Sequence, residues 1–199
     1  MRQHAEQTGV KTGGFPTELR TERLLLRRFA QGDFDDFFSY VSRPDVARYT
    51  SFEPRTREEA QTELAKRLAD PPMDEPGQFI SRALTSGPGH RIMGEVMLFQ
   101  RDVKARQGEI GYMLHPDFYG RGFALEAARV MLGQGFEALG WHRIYARLSD
   151  ANTPSVRLLE KLGMRREAHF REHEIFKGEW DNQLIYAMLE DEWRAGTTR

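Results

Sequence analysis

The chain has 199 residues, a formal net charge of −1 at pH 7, 30% charged residues and no cysteine. This composition indicates a water-soluble globular protein with one sizeable core, and it excludes disulfide bonds, thiolate metal sites and a cysteine nucleophile. A nearly neutral chain gives no electrostatic reason to expect direct binding to nucleic acid or to a membrane surface. Because the chain also lacks a long apolar run and a signal-peptide pattern, we expect a cytoplasmic location.

The N-terminal part of the chain divides into a polar leader and the first elements of a domain. Residues 1–17 show no hydrophobic periodicity, which predicts a disordered leader ahead of a single domain over residues 18–199. Residues 21–29 are typical of a strand, and residues 33–41 place apolar side chains at helical spacing. We therefore expect the domain to begin with a strand followed by a helix.

The middle of the chain predicts a helix followed by an antiparallel meander. Thr56 and Glu59 form a capping-box pattern, so we expect a helix that begins there and continues to about residue 68. Residues 79–85 and 91–101 are typical of two strands joined by a turn that contains glycine and proline. A polar loop then leads into a third strand.

The stretch from Gly108 to Ala127 carries the clearest indication of a function. Residues 109–114 alternate as a short strand, a proline ends it, and the loop Tyr119–Ala124 places two glycines directly before a long amphipathic helix. This order directs free backbone N–H groups and the positive end of a helix dipole at one spot, which favours phosphate or pyrophosphate. An ordinary tight turn is the alternative interpretation of the same glycines.

The remaining sequence predicts a crossover and a hairpin. The long helix is followed by a strand over residues 143–148, and a crossover of this length implies a parallel pair of strands. Thr153 is expected to cap the next helix, and Gly163 follows its end. The last two strands form a hairpin, Arg165–Phe176 and Asp181–Leu189. Together the patterns predict a mixed α/β fold with a mostly antiparallel sheet of about seven strands and about four helices.

The glycine loop and three later segments resemble the GNAT superfamily of N-acetyltransferases. The later segments are Asn152–Met164, Gly178–Asp181 and Tyr186–Leu189, and they are similar in particular to the RimJ/RimL branch of ribosomal-protein N-terminal acetyltransferases. The resemblance extends over residues 21–193. It implies the acyl-CoA N-acyltransferase fold of that superfamily, with acetyl-CoA as the co-substrate and no metal.

The resemblance also implies which residues bind coenzyme A. Backbone N–H groups of the glycine loop would hold the pyrophosphate, the end of the preceding strand would offer its edge to the pantetheine arm, and an asparagine would bond the same arm. The implied coenzyme-binding residues are Met113, Leu114, His115, Gly120, Arg121, Gly122, Phe123, Ala124, Asn152 and Ser155. Tyr119 departs from the glutamine or arginine of the family pattern, but an aromatic residue is common there in this branch.

The implied reaction is attack by a neutral amine on the thioester carbonyl of acetyl-CoA. Glu109 occupies the position of the general base in histone-type relatives, where it would deprotonate the amine through water. Its alternative role is a carboxylate paired with a nearby arginine. The backbone N–H near Leu114 would stabilise the oxyanion.

The resemblance also implies a residue that protonates the departing thiolate. Many relatives have a tyrosine for this task where this chain has Leu159. In this branch a serine has the task instead, and Ser155 matches it. The alternative role of Ser155 is that of a polar residue in the first turn of a helix.

One further segment, His169–His173, fits the H-x-x-E-H pattern of a zinc peptidase. That mechanism requires a helix, so that both histidines share a face. The alternation of this segment predicts a strand, on which residues four apart lie too far apart to bind one zinc ion. We therefore predict no metal site.

The acceptor is expected to be an amine, either a protein N-terminus or a small molecule. Residues 49–53, the loop over residues 69–77 and the last hairpin are expected to bind it. Two other functions remain as alternatives: a non-catalytic acyl-CoA-binding module, and an enzyme that transfers another acyl group such as succinyl. A homodimer is also left open.

Overall fold

The computed structural model describes residues 15–197. Residues 1–14 of the predicted leader lie outside the described residues, whereas the backbone carbonyl of Pro16 accepts hydrogen bonds from Arg82. The strands are β1 (Glu18–Arg20), β2 (Leu25–Arg27), β3 (Phe79–Thr85), β4 (Gly94–Asp102), β5 (Gln107–Leu114), β6 (Arg143–Ser149), β7 (Arg165–Phe176) and β8 (Glu179–Leu189). The helices are α1 (Phe34–Val41), α2 (Pro44–Ala47), α3 (Arg57–Leu68), α4 (Phe123–Glu137), α5 (Thr153–Leu162) and α6 (Glu190–Thr197).

Within residues 15–197 the strands form one sheet in the order β1-β2-β3-β4-β5-β6-β8-β7, and among its neighbouring pairs β5–β6 alone is parallel. This arrangement confirms the predicted mostly antiparallel sheet. The described chain has eight strands because β1, which the sequence did not predict, precedes the predicted first strand. The predicted strand over residues 21–29 contains only β2; its first residues form a turn, in which the Thr21 N–H donates to the Leu24 carbonyl at 2.9 Å. The short α2 and the terminal α6 account for the helices beyond the predicted four.

Alternation along the strands gives the sheet two covered faces. One, which we call the α4 face, places Ile110, Leu114 and Ile144 in a core with residues of α4 and α5. The opposite α3 face places Ala83 in a second core with residues of α1 and α3, and Met113 packs against it. Since residues paired across neighbouring strands share a face, the register assigns Glu109 to the α3 face.

The central parallel pair is short. Strands β5 and β6 pair only at Gln107↔Arg143, Gly108↔Ile144 and Glu109↔Tyr145, and they separate beyond that point in the described structure. A Cβ atom on residue 108 would lie 2.0 Å from Cζ3 of the Trp141 indole, which is too close for two carbon atoms. Only glycine therefore fits at position 108. We call the region between the unpaired residues 110–114 of β5 and 146–149 of β6 the β5–β6 groove.

The helix ends follow local sequence rules, with one correction. The capping box at the start of α3 is confirmed, because Thr56 accepts from the Glu59 N–H and Glu59 accepts from the Thr56 N–H. The prediction that Thr153 caps α5 is wrong: Asn152 is the N-cap, and its Oδ1 accepts from the Ser155 N–H. Asparagine can bond an N–H three residues ahead while it stays outside the helix, which frees Thr153 to be the first helical residue.

The predicted strand at His169–His173 is confirmed, since these residues lie in β7. The strand pairs with β8 and carries register shifts between Arg166 and Ala168 and between Phe170 and Glu174. No helix within residues 15–197 is long and apolar enough to cross a membrane.

Candidate active site

Among residues 15–197, the β5 edge of the groove carries backbone groups without a ladder partner. The His115 N–H donates to the Met93 carbonyl at 2.7 Å, on the β4 side of the strand. Because backbone groups of successive residues in a strand point to opposite sides, the N–H and C=O groups of Tyr112 and Leu114 point into the groove. An extended ligand could bond to this edge as an additional strand does.

Met113 and His115, which the family resemblance placed on this edge, point their backbone groups to the β4 side of the strand or into the following turn. The His115 N–H is used by Met93, and its carbonyl accepts from the Phe118 N–H at 3.0 Å. The imidazole is buried, and its Nδ1 accepts from the Asp117 N–H at 3.2 Å. Burial lowers the pKa of His115, so the ring is neutral at pH 7 and orders the end of β5.

The glycine loop lies beyond this strand end and begins α4. Gly120 and Gly122 have φ values of 73° and 80°, which other residues adopt only with strain. Gly122 is the N-cap, and the Glu126 N–H donates to its carbonyl at 3.0 Å as the first bond of the helix. A glycine cap has no side chain to accept from Phe123, Ala124 or the residue after them, so their N–H groups remain open to an anion.

The side chain of Ser155, on the first turn of α5, meets Tyr112 of β5. Burial raises the pKa of Tyr112 to about 12, and hydrogen bonding with the Ser155 side chain opposes that rise. Tyr112 is therefore a neutral hydroxyl at pH 7 that can donate a hydrogen bond. Tyr112 is not among the site residues that the sequence predicted, although it is a hydroxyl in an otherwise apolar alternation.

Glu109 lies on the α3 face beside two arginines that the sequence analysis did not identify. Its Oε2 accepts from Arg101 Nε at 2.7 Å and from Arg147 Nη2 at 3.2 Å, and its Oε1 accepts from Arg147 Nε at 3.2 Å. A carboxylate has about four acceptor sites, so these three donors use most of them. The arginine pairing that we considered for Glu109 is thus present, whereas the base role remains a prediction.

Two of the three expected acceptor-binding segments lie close together. The Nζ of Lys177, at the tip of the β7–β8 hairpin, donates to the Phe52 carbonyl at 3.0 Å and lies 3.2 Å from the Glu53 carboxylate. The third segment, residues 69–77, is anchored elsewhere, because Asp70 pairs with Arg82 at 2.8 Å and Met73 is buried in the core of the α4 face.

The assembled site suits a long ligand with an anionic end. An extended arm could follow the Tyr112 and Leu114 edge, and a diphosphate could bind at the start of α4. The Ser155 hydroxyl lies on the opposite side of the groove. Such a site can place a reactive carbonyl near a backbone N–H donor on β5 and a leaving group near a side-chain hydroxyl on α5.

Comparisons with a family model and with curated proteins both match acetyltransferases. Residues 23–165 match the family model for the acetyltransferase (GNAT) domain. The chain is similar to the uncharacterized N-acetyltransferase YnaD of Bacillus subtilis, at 33% identity over 175 residues that cover 88% of this chain and 98% of YnaD.

Solved structures show the same fold. A GNAT-family acetyltransferase from Bacillus anthracis matches with a TM-score of 0.79 and 30% identity, covering 88% of this chain and 99% of that one. Spermidine N-acetyltransferase from Vibrio cholerae, solved in complex with CoA and spermine, matches with a TM-score of 0.75 over 87% of this chain and 99% of that chain. At 21% identity, this second likeness concerns the fold alone.

Proposed function

The chain belongs to the GNAT family of acetyltransferases, and we propose that it transfers the acetyl group of acetyl-CoA to a protein N-terminal α-amine by direct attack. Its mixed sheet is the fold that the sequence predicted. The proposal includes membership of the RimJ/RimL-like branch, supported by the segments Asn152–Met164 and Gly178–Asp181, and a cytoplasmic location. A small-molecule amine is the second candidate acceptor.

The observation that carries the proposal is the groove between β5 and β6, with the open amides of the glycine loop at its end. A pantetheine arm needs a strand edge with free N–H and C=O groups, and a pyrophosphate needs N–H groups that no side chain caps. Both features occur in one continuous site. Acetyl-CoA would supply the thioester whose carbonyl the amine attacks, and CoA would leave as the thiolate.

Each protein group in the groove has a task in that attack. The Leu114 N–H would donate to the oxygen of the thioester carbonyl as negative charge develops on it. Ser155 would donate a hydrogen bond to the departing thiolate, and the neutral Tyr112 hydroxyl would hold Ser155 in place. Asn152 would fix the start of α5 through its bond to the Ser155 N–H at 3.3 Å.

The environment of Glu109 supports an α-amine rather than a lysine or polyamine acceptor. Three N–H donors from two guanidiniums occupy its oxygens, so few acceptor sites remain for a hydrogen bond from the acceptor amine or from a bridging water. An α-amine, with a reference pKa of about 7.7–8.0, is already partly neutral at pH 7, whereas a lysine near 10.4 is not. An acceptor of the first kind needs less help from a base.

A turnover panel tests this function. Acetyl-CoA would be offered with three acceptors: a peptide whose α-amine is free and whose lysine is blocked, the same peptide blocked in the reverse sense, and spermidine. We expect mass spectrometry to detect acetylation of the free α-amine. Product from spermidine alone would favour the small-molecule candidate. The panel would be repeated with succinyl-CoA, and product with that donor alone would show that succinyl rather than acetyl is transferred. Coenzyme binding without product from any acceptor would indicate a binding module.

A further inference from the structure

Arg23 contacts the glycine loop although it lies in the turn between β1 and β2, 98 residues before Arg121. Its Nη1 donates to the Arg121 carbonyl at 2.9 Å, and its Nε donates to Oε2 of Glu126 at 2.7 Å. Its Cζ lies 4.9 Å from the centroid of the Phe123 ring. One guanidinium therefore contacts three residues at the start of α4.

The bond to Arg121 fixes the orientation of a peptide in the loop. The carbonyl of Arg121 and the N–H of Gly122 belong to one trans peptide, so they point in opposite directions. Because Arg23 holds the carbonyl, the N–H of Gly122 points away from the guanidinium. The guanidinium also lies beside Gly122, where a Cβ atom would be 3.4 Å from its Nη2.

The bond to Glu126 neutralises a charge that a pyrophosphate would otherwise meet. Glu126 lies in the first turn of α4, where a carboxylate favours the helix but repels a bound anion. Burial opposes ionisation, but hydrogen bonds from Thr21 and Arg23 outweigh it and lower the pKa of Glu126, which is a carboxylate at neutral pH. Besides its side chain, Arg23 donates its backbone N–H to Glu126 Oε1 at 3.1 Å.

We propose that Arg23 is a positioning residue for coenzyme binding, which orients the Arg121–Gly122 peptide and neutralises Glu126 beside the pyrophosphate. The inference rests on the proposed function, because it requires that the anion at the start of α4 be the pyrophosphate of coenzyme A. The β1–β2 turn then belongs to the coenzyme site although none of its residues needs to contact the reacting atoms.

Calorimetric titration of CoA tests this role in four variants: Arg23→Ala, Glu126→Gln, the double variant, and Arg20→Ala. Arg20 is the matched control, since it lies in the same hairpin, is exposed and pairs only with Glu18 among the described residues. We expect Arg23→Ala to weaken CoA binding by about tenfold, because it leaves one carboxylate unpaired near the anion. Glu126→Gln added to Arg23→Ala should restore most of the loss, and higher salt should reduce it. Arg20→Ala should bind as the wild type does.

A purely structural role gives a different pattern. If Arg23 only joined the hairpin to α4, the double variant would bind CoA no better than Arg23→Ala, and salt would not change the defect; either result overturns the inference. Unchanged binding by Arg23→Ala overturns it too. Should Arg23→Ala fail to fold in a thermal melt, Arg23→Lys replaces it as the test. Lysine keeps the positive charge without the several N–H donors of the guanidinium, so this variant should bind CoA with an intermediate affinity. Absence of CoA binding by the wild type would instead refute the proposed function.

Discussion

At the scale of single residues, the proposed chemistry depends on the contact between Ser155 and Tyr112. The hydroxyl of Ser155 stands at the start of α5, and Tyr112 approaches it from β5. Leu159, which matches the tyrosine position of many relatives, is buried in the core of the α4 face and has no group to donate. We therefore propose that Ser155 gives the proton or hydrogen bond to the thiolate.

We expect Ser155→Ala to lower kcat by about 100-fold while KM for acetyl-CoA changes little, because the lost donor acts on the departing thiolate. Tyr112→Phe should lower kcat less, since its hydroxyl acts through Ser155. Steady-state kinetics with an acceptor from the panel measures both effects, and Thr153→Ala, in the same turn and exposed, is the control. An unchanged kcat in Ser155→Ala would rule out the thiolate role.

At the residue scale, some parts of the site could be predicted from the sequence and others could not. Ser155 and Asn152 could be proposed from a local motif, because both lie at one helix start. The partners of Glu109 could not, since Arg101 and Arg147 come from two other strands and meet it only through the register of the sheet. The pairing of Arg23 with α4 has the same origin.

At the scale of elements, the groove exists because β5 and β6 pair over only three residues each in the described structure. Trp141 packs against Gly108 at the paired end, and its Nε1 donates to Gln100 Oε1 of β4 at 2.8 Å. These contacts fasten the two strands to the sheet at one end, and their other ends separate. Periodicity predicted both strands and the helix between them, but the length of their pairing depends on tertiary packing that no local pattern contains.

Gly108→Ala should therefore destabilise the fold by about 3 kcal/mol, since the added methyl group overlaps the Trp141 indole. Gly32→Ala is the matched control, because a Cβ atom at that position meets no atom within 4 Å. Urea unfolding of both variants measures the difference. Equal stability of the two variants would show that Trp141 moves aside without cost.

At the scale of the whole molecule, tyrosines that folding withdraws from water make stability depend on alkaline pH. Desolvation raises the pKa of five of them: Tyr40 and Tyr186, which are buried, Tyr112 and Tyr145, which are half-buried, and the more exposed Tyr119. Above pH 10 the unfolded chain loses these protons while the folded chain retains them, so unfolding becomes more favourable as pH rises. Below that pH both states are protonated, and this contribution is fully present.

We expect the free energy of unfolding to fall steadily as pH rises from about 10 to about 12, the pKa of Tyr112. Urea titrations across this range measure the slope. Tyr112→Phe should make the slope shallower, because one titrating group is removed. A slope that does not differ between Tyr112→Phe and the wild type would contradict the assigned burial of that hydroxyl.

The central claim is that the start of α4 binds the pyrophosphate of acetyl-CoA, and calorimetric titration of acetyl-CoA into the wild type and Gly122→Glu tests it most directly. A glutamate at this cap adds a side chain in left-handed backbone and a negative charge among the open amides. Gly32→Glu, remote from the groove, controls for the added charge. We predict saturable binding by the wild type and Gly32→Glu, and binding weakened at least about tenfold in Gly122→Glu. Equal affinity in all three proteins, or no binding by the wild type, would contradict the account.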